Sequence, residues 1–383
     1  MDFDRRPILV FWETTRACTL ACRHCRAAAI PEPLPGELST AEAYALLGAV
    51  AGFGAPHPVL VATGGDVLMR ADLDSIAVRT RELGIPLALA PSVTPLLDER
   101  RVASLRGLGI RIVSISLDGA GAAVHDRIRG ISGHFEATLA AIRHLRAHGI
   151  TVQVNTTVMA DTVDDLPAIL RIVRDANASV WELFFLVHVG RGSALGALGA
   201  DENEHVCHFL VDASRYGVIV RTVEAPFFRR VVAERGEGGS PPATGLYRRL
   251  RQRLEQELGP PVGRPRAQTR ATRDGRGIVF VGHDGTITPS GFLPVRLGNV
   301  RDDDIVEVYR EHPLLRRIRA ADFDGRCGAC AYRDLCGGSR ARAYAASGNP
   351  LGEDPGCAYP AAAARARSAW KKSATAVRPE VYD

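Results

Sequence analysis

The stretch Glu13-Thr-Thr-Arg-Ala-Cys18-Thr-Leu-Ala-Cys22-Arg-His-Cys25-Arg26 carries three cysteines at C-x3-C-x2-C spacing. It follows directly on a strand-like run, Ile8 to Trp12. Thiolates held this close together are suited to one soft metal centre. Three ligands are one fewer than a closed tetrahedral zinc site or a fully ligated four-iron cluster requires. An iron that lacks a protein ligand can bind a small molecule, so this stretch predicts an open metal site.

The composition limits the kinds of protein to which the chain can belong. Its 383 residues, 46% of them hydrophobic, are enough for one large domain or two smaller ones. The net charge of +5 is small for this length and does not indicate nucleic-acid binding. No apolar run approaches the roughly 20 residues of a membrane helix, and the acidic start is unlike a secretory signal. We therefore expect a cytoplasmic protein with no membrane partner, where clustered cysteines indicate metal or redox chemistry rather than disulfides.

Short β-branched runs alternate with helical stretches from Ile8 to about Val189. This alternation predicts an α/β fold with right-handed βαβ units and a parallel sheet. Six such units would form a partial (βα)6 TIM-like barrel, in which chemistry gathers at the C-terminal ends of the strands. The predicted strands are 8–13, 59–62, 87–90, 110–117, 151–159 and 180–187, and the predicted helices include 40–52, 73–84, 134–149 and 163–176.

Two predicted strands end in polar or glycine-rich motifs. Gly64-Gly65-Asp66 follows the second strand, and its glycines would let the backbone approach a ligand, although an ordinary βα turn is an equally good interpretation. Ser116 and Asp118 alternate onto one face at the end of the fourth strand. Asp118 could accept ribose hydroxyls, and Arg127 or Arg129 could hold a carboxylate. The alternatives are a helix N-cap for Asp118 and a solvated surface charge for either arginine.

The second half of the chain has a different character. A helix is predicted from Asp201 to Tyr216, and residues 248–276 contain nine arginines, which either bind an anionic substrate or, as we favour, cover a mobile surface. An Asp-Gly turn predicts a hairpin of strands 278–281 and 286–288. A helix from Ile305 to Ile318 is expected to follow. We therefore divide the chain into a barrel (1–200), a helical and basic linker (201–276), a small α+β cysteine-rich domain (277–360) and a tail (361–383).

Four further cysteines lie in the predicted cysteine-rich domain at C-x2-C-x5-C-x20-C spacing. Four thiolates can fully ligate one iron–sulfur cluster. A structural zinc site is the alternative that this spacing also permits. The four residues are Cys327, Cys330, Cys336 and Cys357.

Taken together, these motifs resemble those of the radical SAM superfamily. The C-x3-C-x2-C stretch resembles its signature, Gly64-Gly65-Asp66 resembles its Gly-Gly motif, and Ser116 to Gly119 with His125 to Gly130 resembles the next block. The C-terminal cysteines resemble the SPASM/twitch extension, which carries an auxiliary iron–sulfur cluster. The resemblance covers the chain from about Pro7 to about Pro360.

The resemblance implies a mechanism and a set of ligands. Cys18, Cys22 and Cys25 would hold a [4Fe–4S] cluster, and S-adenosylmethionine would chelate the fourth iron. Reduction, by a protein such as flavodoxin or ferredoxin, would give a 5′-deoxyadenosyl radical that abstracts a substrate hydrogen. The remaining carried-over roles are contact with the methionine amine for Gly64, Gly65 and Asp66, contact with the ribose or carboxylate for Ser116, Asp118 and Arg129, and ligation of one auxiliary [4Fe–4S] cluster by Cys327, Cys330, Cys336 and Cys357.

Three positions depart from the family pattern. His24 stands where an aromatic residue usually precedes the last cysteine, and Val67 stands where a proline often follows the Gly-Gly-acid motif. Ser290 takes a position that resembles a cysteine of the full extension, which has seven or more cysteines and two auxiliary clusters. With only four cysteines in this C-terminal region, the chain is expected to bind one auxiliary cluster.

The segment Cys336-Gly-Gly-Ser-Arg-Ala-Arg-Ala-Tyr-Ala345, with Glu353-Asp-Pro-Gly-Cys357, resembles the tetrapyrrole branch. Members of that branch remove propionate carboxylates from haem precursors or make the haem of nitrite reductase. The alternative is maturation of a ribosomally made peptide, by crosslinking or decarboxylation. Only 17 residues precede Cys18, so we expect no fused leader-peptide recognition domain. A third hypothesis is a non-enzymatic zinc protein or electron carrier.

Overall fold

A computed structural model describes residues 2–261, 263–268 and 272–360. Its strands are β1 Leu9–Thr15, β2 Val59–Gly64, β3 Leu87–Leu89, β4 Ile112–Ser116, β5 Thr151–Val158, β6 Val180–Phe185, β7 Ile219–Val223, β8 Ile278–Val281, β9 Thr286–Thr288 and β10 Gly298–Asn299. In the described residues they form one sheet in the order β10-β9-β8-β1-β2-β3-β4-β5-β6-β7. The predicted tail, 361–383, lies outside the described residues.

Helices follow most strands, as expected for βαβ units. They are α1 Thr40–Ala51, α2 Leu73–Glu82, α3 Glu99–Gly107, α4 Ala122–Arg129, α5 His134–Ala147, α6 Leu166–Asp175, α7 Ala200–Ala213, α8 Phe228–Gly236, α9 Gly245–Leu258, α10 Ile305–Glu311, α11 Pro313–Arg319, α12 Gly325–Ala329 and α13 Arg340–Ser347. Three 3-10 turns, Val67–Met69, Val163–Asp165 and Gly190–Ala194, lie in the loops that leave β2, β5 and β6.

The neighbouring strands from β1 to β7 all pair in parallel, so the predicted α/β partial barrel is confirmed. Strand β4 shows how sequence alternation sets its two faces. Val113 and Ile115 are fully buried in a cluster that includes Leu145 of α5. Ser114 and Ser116 alternate with them and therefore line the inner face. Burial of each such apolar side chain stabilises the fold by about 1.5–3 kcal/mol.

The sheet extends beyond the six predicted strands at both edges. Strand β7 lies in the region predicted to be a helical linker, and it pairs in parallel with β6. On the other side, β8 pairs in parallel with β1, and the predicted hairpin continues antiparallel into β9. The hairpin therefore joins the barrel sheet, which places the chain that leads into the cysteine-rich segment next to the barrel.

The single helix predicted from Ile305 to Ile318 is wrong. The chain forms two helices, α10 and α11, with an extended His312 between them. Pro313 lacks an N–H and favours the first position of a new helix, and the His312 side chain accepts a hydrogen bond from the Leu314 amide. Within the described ranges, no helix combines the length and apolar character needed to cross a membrane.

Candidate active site

Three thiols meet in the loop that leaves the C-terminal end of β1. Cys18 and Cys22 are buried and Cys25 is half-buried, and all three belong to one small cluster with Leu20 and Ala29. The Leu20 amide lies 3.4 Å from the Cys18 sulfur, and the Ala29 amide lies 3.5 Å from the Cys25 sulfur. Burial raises the pKa of Cys18. The structure thus brings together the three cysteines that the spacing predicted, at the expected end of the barrel.

Arg191, which the sequence analysis did not single out, holds this loop in place. Its Nε donates to the Cys22 carbonyl at 2.8 Å, and one terminal nitrogen donates to the Ala29 carbonyl at 2.7 Å. Its own amide donates to the Cys25 carbonyl at 3.0 Å. Gly190 has a φ of +54°, and a Cβ there would lie 2.5 Å from the Cys25 carbonyl oxygen. The available signal was the Gly-Arg-Gly run after β6.

The Gly-Gly-acid motif packs directly against the start of the cysteine loop. A Cβ on Gly65 would overlap the Ala17 carbonyl, so glycine is required for this close approach. The Asp66 carboxylate accepts hydrogen bonds from the Leu68 amide at 3.1 Å, the Ser92 amide at 3.3 Å and the Thr94 hydroxyl at 2.8 Å. Burial raises the pKa of Asp66, because these bonds only partly compensate for desolvation. The carboxylate therefore fixes the loops after β2 and β3.

On the wall of the site opposite the Gly-Gly-acid motif, Asp118 binds several neighbouring groups. Its carboxylate accepts hydrogen bonds from the Thr157 amide at 2.7 Å and from Arg129 at 2.5 Å, and lies 2.8 Å from the His24 Nε2. Arg129 also reaches the Cys22 sulfur, at 3.7 Å. Burial alone would raise the pKa of Asp118, but the charge of Arg129 together with His24 holds that pKa well below its usual range.

Two alternative interpretations of these residues are wrong. Helix α4 begins after Gly121, so Asp118 is not its N-cap. Arg129 is only 8% exposed and is not a solvated surface charge. His24, which departs from the family pattern, is the residue that completes the Asp118 pairing.

Two histidines, His125 and His134, form a hydrogen-bonded chain that ends at the Asp118 amide. The Asp118 amide donates to Nδ1 of His125 at 3.0 Å, so the proton of that ring is on Nε2. His125 Nε2 lies 2.8 Å from Nδ1 of His134, whose Nε2 in turn lies 3.0 Å from the Val93 carbonyl. Burial, and then the charge of Arg129, lowers the pKa of His125 to about 3 and that of His134 to about 4. Both rings are therefore neutral near pH 7.

The inner face of the barrel next to this site is polar. Ser114 and Ser116 are half-buried and lie beside Gln153 and Asn155 of β5. The Gln153 side chain donates to Asn155 and to Glu182 of β6, both at 2.8 Å. Within the part of the chain that the structure describes, neither serine hydroxyl makes a hydrogen bond. Both serines are therefore free to contact a ligand.

The other four cysteines line a second cavity. This cavity has a volume of about 450 Å³, measured out to its solvent opening, and its wall includes all four of these thiols. Amides of Tyr332 and Gly338 each lie 3.4 Å from a cysteine sulfur. Burial raises the pKa of Cys336 to about 12 and that of Cys357 to about 11, so these thiols need a metal centre or a cation to ionise at neutral pH.

Buried arginines surround this second cavity. Arg340 is fully buried and donates to the Cys327 sulfur at 3.5 Å. Arg273 donates to the Cys336 carbonyl at 3.2 Å, and Arg229 donates to the Leu335 carbonyl at 3.2 Å. Burial lowers the pKa of Arg229 to about 10 and that of Arg273 to about 9.

The described arginines of the arginine-rich stretch differ in their surroundings. The arginines of α9 are exposed, as in the ion pair between Arg249 and Asp164 at 2.9 Å. Arg273 belongs to the same stretch but lies beside the second cavity, so the interpretation of this stretch as a surface covering is wrong for Arg273.

Both cysteine groups have the donor chemistry of iron–sulfur sites, because thiolate is the ligand on which such clusters depend. Among residues 2–261, 263–268 and 272–360, no group of three or more His, Cys, Asp or Glu side chains is placed to hold a single metal ion. The three-thiol group lies at the open end of a parallel barrel, and the four-thiol group lines a cavity.

A three-cysteine loop at the mouth of a partial (βα) barrel defines a class of enzyme. The family model described as the radical SAM superfamily matches residues 12–173. The chain belongs to the radical SAM superfamily and is an S-adenosylmethionine-dependent enzyme with a [4Fe–4S] cluster. The hypothesis of a non-enzymatic zinc or electron-transfer protein is therefore wrong.

Relatives align with nearly the whole chain. It is 37% identical to the AdoMet-dependent heme synthase of Oleidesulfovibrio alaskensis, over 92% of this chain and 87% of the relative. It is 30% identical to the pre-heme d1 synthase of Dinoroseobacter shibae, over 93% and 87%. It is 27% identical to the PqqA peptide cyclase of Gluconobacter oxydans, over 93% of this chain and 92% of the relative.

The fold is also shared with solved structures. The chain matches native anSMEcpe with bound AdoMet with a TM-score of 0.64 at 15% identity, over 91% of this chain and 93% of that one. At this level of identity the likeness concerns the fold alone.

Proposed function

We propose that this enzyme modifies the propionate side chains of a haem-type tetrapyrrole by decarboxylation. After hydrogen abstraction, the substrate radical would lose CO₂ and pass one electron to an electron acceptor, which leaves a vinyl group. The observation that carries this proposal is the 37% identity to an AdoMet-dependent heme synthase along 92% of the chain. The pre-heme d1 synthase, with similar coverage, supports the same substrate class. The segment from Cys336 to Ala345, whose motif resembles the tetrapyrrole branch, agrees with this substrate class.

The residues of the first site have distinct proposed roles toward the cluster and cofactor. Cys18, Cys22 and Cys25 hold the cluster, and the bound cofactor supplies a 5′-deoxyadenosyl radical that removes a substrate hydrogen. Gly64 and Gly65 present backbone groups to the methionine amine, and the Asp66 carboxylate keeps that backbone in place. The support for this division is that Asp66 is already bonded to three groups of the protein.

On the opposite wall of the first site, Ser116, Asp118 and Arg129 contact the cofactor's ribose and carboxylate. Ser116 has a hydroxyl without a partner in the described residues, and it lies on the inner face of β4. Asp118 and Arg129 are paired to each other, so they contribute a fixed local charge pattern beside Cys22. Their close pairing and burial support a positioning role together with cofactor contact.

We propose one auxiliary [4Fe–4S] cluster at the second site, held by Cys327, Cys330, Cys336 and Cys357. The support is the shared cavity and the amides directed at the sulfurs, which are common around iron–sulfur centres. Structural zinc is the competing occupant. The proposed auxiliary domain is 277–360, after a barrel at 1–200 and a linker at 201–276. A small electron carrier such as flavodoxin or ferredoxin is the proposed reductant.

The test uses anaerobically reconstituted, reduced protein with S-adenosylmethionine. Iron-coproporphyrin III or didecarboxysirohaem is added, and 5′-deoxyadenosine and the tetrapyrrole product are measured by liquid chromatography and mass spectrometry. We expect the tetrapyrrole to raise deoxyadenosine formation and to lose carboxylate mass. A rate of deoxyadenosine formation that no tetrapyrrole changes would contradict the proposal.

A second candidate is maturation of a ribosomally made peptide. The similarity to a PqqA peptide cyclase, over 93% of this chain and 92% of the relative, favours it, although at lower identity than the haem-branch relatives. In the same assay, a short precursor peptide encoded beside the gene would take the place of the tetrapyrrole. A mass change in that peptide, without any response to tetrapyrroles, would establish this candidate over the first.

A further inference from the structure

Two phenylalanines in direct ring contact and a third linked to them through Arg26 form what we call the aromatic cluster: Phe184, Phe292 and Phe280. The rings of Phe184 and Phe292 are 6.1 Å apart between centroids and tilted by 47°. The Arg26 guanidinium lies 4.8 Å from the Phe280 ring centre and 6.0 Å from that of Phe292. These contacts are within the range of attractive aromatic and cation–π interactions.

The aromatic cluster spans the opening of the barrel. Phe184 belongs to β6, whereas Phe280 belongs to β8, and strands β1 to β5 lie between them in the sheet. Phe292 follows β9 in the chain and contacts Phe184 of β6. Phe184 and Phe292 are half-buried, although apolar rings of this size are usually well buried. They therefore leave part of an aromatic surface accessible within the barrel mouth.

The aromatic cluster is anchored to the cysteine loop. Arg26 follows Cys25, pairs with Glu13 at 2.6 Å and donates to the Gly291 carbonyl at 3.0 Å. A Cβ on Gly291 would lie 2.9 Å from the Phe280 ring, so glycine lets this loop lie against it. Ser290, the position that departs from the cysteine pattern, accepts a hydrogen bond from the Phe292 amide at 3.3 Å. The aromatic surface is thus fixed relative to the first site.

The remaining inner wall is polar, which gives the barrel mouth two chemically different sides. Ser114 and Ser116 have hydroxyls without partners in the described part of the chain. Asn155 of β5 lies beside Ser116, and Glu182 of β6 lies beside Asn155. An occupant that suits both sides has a flat apolar face and polar groups at its edge.

We propose that the aromatic cluster is the stacking surface for the macrocycle of a tetrapyrrole, with Ser114 and the neighbouring polar groups facing its hydrogen-bonding substituents. This inference rests on the proposed function and deepens it, because it assigns the residues that distinguish a planar substrate from a peptide. A rigid ring system gains from stacking without losing conformational freedom, whereas a flexible peptide must be ordered first. Arg26 acts as a positioning residue, because Glu13 already balances its charge.

The experiment is an anaerobic absorbance titration of the reconstituted enzyme with iron-coproporphyrin III. Variants Phe184→Leu and Phe292→Leu, singly and together, keep an apolar side chain but remove the ring. We expect each single variant to weaken binding several-fold and the double variant to weaken it tenfold or more. Tyr44→Leu, an exposed aromatic on the outer face of α1, is the matched control and should leave binding unchanged.

The outcomes distinguish a failure of the proposed function from a failure of the stacking inference. If the wild-type enzyme binds no tetrapyrrole, the proposed function fails. If the wild type binds and the double variant binds within twofold of it, the stacking inference alone is overturned. If the variants weaken S-adenosylmethionine binding and leave tetrapyrrole binding intact, the aromatic cluster serves the cofactor and the inference is likewise overturned. Iron content equal to wild type shows that a variant has assembled, and Phe292→Leu alone carries the test if the double variant does not.

Discussion

The two cysteine groups share a ligand type but differ in their electrostatic surroundings. Beside the first group, buried Arg129 is matched by the carboxylate of Asp118. Around the second group, Arg229, Arg273 and Arg340 are buried, and in the described ranges none of them forms an ion pair. Burying an unpaired cation is costly, and the pKa values of Arg229 and Arg273 are lowered accordingly.

This difference shows that the two sites are balanced in different ways. At the first site the buried guanidinium of Arg129 already has a carboxylate partner. At the second site, four cysteine thiolates on a metal cluster would add negative charge beside three buried guanidiniums that have no ion-pair partner in the described residues. We therefore expect the first group to bind a reacting cofactor and the second to hold a fully ligated cluster.

The largest expected effect comes from removing one cysteine ligand of the first group. Replacing Cys22 with alanine removes one of only three cluster ligands, so we expect deoxyadenosine formation to fall below detection. Iron should fall from about eight to about four atoms per chain, because only the second cluster remains. Liquid chromatography and iron analysis measure the two quantities. A Cys22→Ala protein that still cleaved the cofactor would disprove the role of the first group.

The reciprocal substitution removes one cysteine ligand of the second group. Cys336→Ala should remove about four iron atoms per chain and leave about four at the first site. Its buried arginines would then lack a compensating charge, so we also expect a lower thermal stability than in Cys207→Ala, which replaces a buried cysteine outside both groups. Zinc without sulfide in the wild-type protein would instead identify the second group as a structural zinc site.

One substitution removes the carboxylate that pairs with Arg129 at the first site. Asp118→Asn leaves Arg129 buried without its carboxylate partner, which should destabilise the protein by about 4 kcal/mol. The matched control is Asp164→Asn, which breaks an exposed pair with Arg249 and should cost at most about 0.5 kcal/mol. Denaturant unfolding under anaerobic conditions measures both. Equal effects in the two variants would show that burial does not strengthen the Asp118 pairing.

The sequence predicted those parts of the site that depend on short segments. The spacing from Cys18 to Cys25 and the Gly64-Gly65 pair are local features, and the structure brings both to the barrel mouth. Contacts between distant segments were not predictable, because nothing in either segment specifies its partner. Arg191 bonds to the Cys22 carbonyl across 169 positions, and Glu13 pairs with His283 across 270.

In the fold, too, local features could be predicted from the sequence and long-range contacts could not. The six predicted barrel strands have clear β-branched runs, but β7 is short, contains Arg221 and lies in a stretch dominated by helices. Its pairing with β6 comes from tertiary packing, which propensity does not reveal. The break between α10 and α11, by contrast, was visible in the sequence at Pro313.

The smallest expected effect concerns pH. His125 and His134 have pKa values of about 3 and about 4 in the folded protein, below their ordinary value of 6.5. As pH falls below 6.5 the unfolded chain takes up protons that the folded chain does not, so stability falls with pH. Between pH 7.5 and 5.5 the two residues together should lower the unfolding free energy by about 3 kcal/mol.

A variant that carries both His125→Gln and His134→Gln cannot titrate at these positions. Its unfolding free energy should therefore change less between pH 7.5 and 5.5 than that of the wild type, even if its stability is lower throughout. The same denaturant series at several pH values measures this slope. An identical slope in both proteins would show that the histidine chain does not control the pH dependence.

Electron paramagnetic resonance of the reduced protein tests most directly whether the two groups hold clusters with different roles. Two variants isolate them: Cys22→Ala retains the second cluster, and Cys336→Ala retains the first. Adding S-adenosylmethionine should change the spectrum of Cys336→Ala and leave that of Cys22→Ala unchanged. A cofactor-dependent change in Cys22→Ala, with none in Cys336→Ala, would contradict the assignment of the open site to the first group.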